Sequence, residues 1–78
     1  MNEVKHGYIF DVVSFSKAIK TKRVIELNID LRAIGNEIGI SAATISRLER
    51  KSIPDVYTYH VICKWLGVSM DKFFRKIN

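Results

Sequence analysis

The sequence predicts an all-α domain of five helices. Three observations predict it: apolar residues recur at three- and four-residue spacing, an Asp or Ser stands ahead of the runs as a cap, and Gly or Pro closes most of them. From Asp11, the residues Val12, Phe15, Ala18, Ile19 and Ile25 approximate one helical stripe, with Lys17, Lys20 and Lys22 on the other face. This first helix is expected to end near Asn28. Residues 1–10 carry no clear period and include Gly7, so they read as an N-terminal arm, disordered or lying against the body, with Tyr8, Ile9 and Phe10 as its anchors.

Asp30 can cap a short second helix, because its carboxylate accepts orphan backbone N–H groups, and Leu31, Ile34 and Ile38 give that helix its apolar stripe. Gly39 follows where a helix ends by turning left-handed, with Ile40 as the buried residue of the turn. Ser41 caps a third helix, Ala42 to Arg50, which buries Ile45 and Leu48 and exposes Ala43, Thr44, Ser46, Arg47 and Arg50. Pro54 disfavours helix at the residue before it and ends the break that follows, and Asp55 caps the fourth helix. Val56, Tyr59, Ile62, Cys63 and Leu66 form its inner stripe, and Gly67 stops it. Ser69 then caps a fifth helix carrying Met70, Phe73, Phe74 and Ile77. No strand, repeat, low-complexity segment or linker is predicted.

At 78 residues the chain holds one domain, expected over residues 11–78 behind the arm, with no room for a separate catalytic domain. Thirteen Lys and Arg against eight Asp and Glu give a net charge of +5. That balance suits a polyanionic partner, and equally a solvated basic surface. Cys63 alone makes no internal disulfide and fits as inert packing in a reducing compartment. His6 and His60 lie far apart with no second cysteine or carboxylate cluster, so no metal site and no cofactor are expected. No nucleophile–base pair or phosphate-cradling loop occurs at a useful spacing, so an enzyme is not expected either. Neither a signal peptide nor an apolar run long enough to span a bilayer is present, which predicts a cytoplasmic protein without a membrane partner.

The informative unit is LRAIGNEIG-IS-AATISRLER, residues 31–50. Two short helices can cross closely only where the contact residues are small, and Gly35 provides this in the middle of the second helix despite a helix-interior penalty of about 1 kcal/mol. Gly39 supplies the positive φ of the turn, and Ile34, Ile38, Ile40, Ile45 and Leu48 seal the pair against the core. Tyr57, Val61, Trp65, Phe73, Phe74 and Ile77 are more apolar groups than the core stripes require. Either the arm covers the excess or a second copy does.

In FDVVSFSKAIKTKR, IGNEIGISAATISRLER and PDVYTYHVICKWLGVSMDKFF, the chain resembles the Xre family, the lambda-repressor-like helix-turn-helix proteins of bacteria and phages. IGISAATISRLER is the most specific stretch. The resemblance implies a five-helix repressor-type domain whose third helix enters the major groove of double-stranded DNA. It places Ala42, Ala43 and Arg47 facing bases, with Ser46 at the edge of that set. The Arg47 guanidinium can bond guanine O6 and N7 together, while the alanine methyls can pack on thymine methyls. Arg32, Ser41, Thr44, Arg50 and Lys51 are placed to hold phosphates. Lysines 17, 20 and 22 read as a solvated face or as backbone contacts.

Three departures from the family pattern stand out. Leu31 occupies a position that is commonly polar, Lys51 replaces the usual glycine after the third helix, and the segment between Arg23 and Glu49 is one residue longer. Arg23 and Glu49 resemble the family's internal ion pair across that longer segment. The expected function is a homodimeric transcriptional regulator, a repressor of bacterial or phage origin. The alternative is an antitoxin of the same fold that neutralises a partner protein and autoregulates its operon.

Overall fold

The computed structural model describes residues 7–77. In chain order it has a strand β1 (Tyr8–Phe10), helix α1 (Val12–Lys20) continuing as a π-helical segment (Thr21–Leu27), then α2 (Leu31–Ile38), α3 (Ala42–Glu49), α4 (Val56–Leu66) and a strand β2 (Phe74–Lys76). Residues 1–6 of the expected arm, His6 among them, and Asn78 lie outside the described residues.

All four α-helices start the same way. The side chains of Asp11, Asp30, Ser41 and Asp55 accept the N–H of the residue three positions on, at 3.0, 2.8, 3.1 and 2.7 Å. Each such cap stabilises its helix by about 1 kcal/mol. The helix ends are equally local. Gly39 and Gly67 both take φ 76°, and Asn28 takes φ 52° to close the π-helical segment.

Between these boundaries, Phe15 and Ile19 of α1, Ile34 of α2, Ile45 and Leu48 of α3, and Tyr59, Ile62 and Cys63 of α4 form one core with Ile40 and Phe73. Ser16, buried in the same region, donates its hydroxyl to the carbonyl of Leu48 at 2.6 Å, tying α1 to the end of α3.

The structure corrects four expectations. The fifth helix is absent: residues 70–73 form tight turns, with Lys72 N–H bonding Ser69 O and Phe74 N–H bonding Asp71 O, and β2 follows. The apolar spacing of this tail fits more than one conformation, and long-range packing selects extended chain. Phe73 is driven into the core at 3% exposure, while Phe74 turns to meet Phe10 at a ring-centroid distance of 5.4 Å.

Strands therefore exist where none were predicted. β1 and β2 pair antiparallel with Ile9 opposite Arg75, so the tail latches the N-terminal segment onto the body. Phe10 completes an aromatic cluster with Phe15 and Tyr59, at 5.4 and 5.5 Å.

The first helix is also not α-helical throughout. Its last seven residues wind more loosely, with the N–H of Asn28 reaching back to Arg23 O, and this turns Ile25 out of the stripe to 74% exposure. Finally, Val56 belongs to the solvent side of α4, at 79% exposure, because it is the first residue of the helix and lies beyond the core. Of the surplus apolar groups, Val61 and Trp65 pack against the core, whereas Tyr57 stays exposed.

Candidate nucleic-acid interface

The α2–turn–α3 unit owes its geometry to one missing side chain. A Cβ on Gly35 would lie 2.6 Å from Ile40 O and 3.4 Å from Ala42 N, so the turn backbone rests directly on α2. Ile34, Ile40, Ile45 and Leu48 are buried beneath this contact, with Ile38 half-buried beside them.

The far end of α3 is clamped differently. Arg23 Nε donates to Glu49 Oε2 at 2.7 Å, Nη2 donates to Glu49 Oε1 at 2.9 Å, and Nη1 donates to Ile29 O at 3.2 Å. The side chains are only 17% and 9% exposed, and the bonds that Arg23 donates to Glu49 push the guanidinium above its usual pKa, against the opposing effect of burial. Arg23 lies within the loosely wound segment Thr21–Leu27. Helix α3 is thus held at both ends by α1 and α2, which leaves its outer face fixed in direction.

That face carries Ala43 and Arg47 exposed, with Ala42, Thr44 and Ser46 half-buried. Arg32 and Ser41 are exposed at the two helix starts, and Arg50 and Lys51 are exposed just past the end of α3. None of the expected base-facing and phosphate-facing residues is buried, and Arg32, Ser41 and Ala42 line one recess. The Ser41 hydroxyl is largely used internally: it accepts from Thr44 N–H and donates to Thr44 Oγ1 at 2.9 Å. What the start of α3 still offers an anion is its first backbone N–H groups, which have no partner inside the helix.

Lys51 takes φ 72°, the left-handed conformation that glycine adopts without strain. Its N–H bonds Leu48 O at 3.1 Å, closing α3.

Two residues were assigned incompletely from sequence. Asn36 lines a recess of about 290 Å3 together with Arg32, Gly35, Ser41 and Ala42, at the seam between α2 and α3. The signal was available, since Asn36 follows Arg32 by four residues and so shares its helix face. Lys22, read as solvated or DNA-facing, instead lies over the Trp65 ring, 5.0 Å from its centroid, and donates to the Trp65 carbonyl. Nothing in the spacing of the lysines could have shown this, because Trp65 is on α4.

Among the described residues no helix is long and apolar enough to cross a membrane. No curated protein and no solved structure matches the chain. A helix-turn-helix family model, HTH_3, matches residues 19–73, a span containing all of α2, α3 and α4 and the clamp at both ends of α3. The chain belongs to this Xre-like helix-turn-helix family of DNA-binding transcription regulators.

Proposed function

We propose that this chain is a sequence-specific repressor that places α3 in the major groove of duplex DNA. Arg47 reads a guanine, Ala42 and Ala43 pack on thymine methyls, and Ser46 meets the edge of the same site. Arg32, Thr44, Arg50 and Lys51, with the first backbone N–H groups of the helix that Ser41 caps, hold phosphates and set the register. The observation that carries this reading is an outward polar face on a helix fixed at both ends, on a chain of net charge +5. With few donors on that face, part of the specificity falls to DNA shape. Two copies bind as a homodimer, because paired half-sites about one helical turn apart match a two-fold protein.

Selection of binding sites from random duplexes tests this. The expected result is a two-fold symmetric motif. Absence of enrichment at modest salt overturns the proposal. Arg47→Ala is expected to lower affinity for the selected site far more than for random duplex, and an equal loss on both reduces Arg47 to a phosphate contact.

A second reading, an antitoxin that also binds a protein partner, is favoured by one feature. Ile53, at 76% exposure, stands with Val56 and Phe74 around an apolar groove of about 260 Å3 that the DNA-facing surface does not use. If Ile53→Asp abolishes a concentration-dependent dimer in sedimentation, the groove serves self-association. A chain that remains monomeric favours the partner.

A further inference from the structure

Three side chains on the outer face of α3 are joined in sequence by hydrogen bonds. Thr44 N–H bonds Ser41 Oγ at 3.1 Å, Ser41 Oγ–H bonds Thr44 Oγ1 at 2.9 Å, and Arg47 Nη2 donates to the same Thr44 Oγ1 at 3.2 Å. The chemistry of a hydroxyl then limits what Thr44 can do. An oxygen of this kind has two lone pairs and one proton. Both lone pairs are taken, one by Ser41 and one by Arg47, so the proton is the only group Thr44 has left to offer.

From this we infer that Thr44 is a positioning residue for Arg47, and that it couples phosphate binding to base readout. The inference rests on the reading of Arg47 as the base-reading side chain. An exposed arginine on a helix samples many rotamers, and ordering it opposes binding. Thr44 holds one N–H of the guanidinium against the helix and leaves the other donors of the fork free for the two acceptors of a guanine edge. When a phosphate oxygen accepts the Thr44 proton, the polarised hydroxyl accepts more strongly from Arg47. Backbone contact and base contact thereby reinforce each other. The serine cap links the same chain to the start of α3, so the arginine is referenced to the part of the helix nearest the DNA.

The test is a double-mutant cycle with the full chain, measuring binding to the selected site and to random duplex by fluorescence anisotropy. Thr44→Val keeps the side-chain shape and the backbone cap from Ser41 while removing the hydroxyl, and Thr44→Ser keeps the hydroxyl. Thermal melts confirm that each variant is folded. Thr44→Val is expected to lower the ratio of selected-site to random affinity by about three- to tenfold. Thr44→Ser retains the ratio, and Thr44→Val has no further effect on it in an Arg47→Ala background.

Two results overturn the inference while leaving the reading of Arg47 intact: Thr44→Val weakening both duplexes equally, or lowering the ratio by the same factor with and without Arg47. If Arg47→Ala leaves the ratio unchanged, the reading of Arg47 fails, and this inference fails with it.

Discussion

Substituting Gly35 by alanine separates two opposing effects whose sizes can be set against each other. In an exposed helix interior, alanine is favoured over glycine by about 1 kcal/mol. At Gly35 the new methyl would meet Ile40 O at 2.6 Å, closer than real Cβ contacts come, and the obstacle is turn backbone that cannot rotate away. Forcing an extra methyl into such a contact destabilises by about 1–3 kcal/mol, and a rigid obstacle puts this case in the upper half of that range. The expected net loss is about 1–2 kcal/mol, which for a domain of this size lowers Tm by about 5–15 °C. Gly39→Ala is the control. Nothing lies within 4 Å of its Cβ position, so only the φ of 76° opposes it, by about 1 kcal/mol. Circular-dichroism melts measure both, and DNA titration below the melting range separates them further, because only Gly35→Ala displaces α3 relative to α2. If Gly35→Ala is as stable as the parent, helix propensity outweighs the contact and the Ile40 carbonyl is not a fixed wall.

Lys51→Gly relieves the left-handed strain and raises stability by about 1 kcal/mol, and it reduces the salt dependence of DNA binding by about one phosphate contact, read from urea titrations and from affinity against salt. Glu49→Gln leaves the Arg23 charge largely buried without its partner and destabilises by about 3 kcal/mol, whereas the paired change Arg23→Met with Glu49→Leu recovers most of that loss in the same denaturant assay.

Stability also falls at both pH extremes. The bonds from Ser14 and Thr58, first among them those from the backbone, hold Asp11 and Asp55 below the usual carboxylate value of 3.8, so their contribution is present above that value and is lost as pH falls through the folded ones. Burial raises the Cys63 thiol above 9.0 and pushes the Tyr59 phenol from 10.0 to about 12, so the contribution of these neutral groups is present below the unfolded values and is lost as pH rises through the folded ones. Tyr59→Phe removes the bond to Met70 O and lowers stability at neutral pH by about 1 kcal/mol, but it flattens the alkaline decline in denaturation midpoint.

The residues that fix helix boundaries act over three or four positions, and the sequence was sufficient for them. Asp30, Ser41 and Asp55 cap the N–H three residues on, and Gly39 and Gly67 turn left-handed after their helices, whereas Ser69, read by the same rule, caps no helix because the tail is drawn into β2. The outward face of α3 was legible for the same reason, since Ile45 and Leu48 being buried leaves Ala43 and Arg47 outside.

Other features depended on partners far away in the chain. Phe74 is a strand residue because Phe10 lies opposite it, and a periodicity confined to residues 69–77 contains no trace of Phe10. Lys22 is held by Trp65 and not by solvent, and Ile25 faces outward from the π-helical segment Thr21–Leu27, whose Arg23 meets Glu49 of α3. Local hydrogen-bond geometry can be read from neighbouring residue types, whereas a choice between nearly equal local conformations is made by long-range packing, which only the folded chain contains.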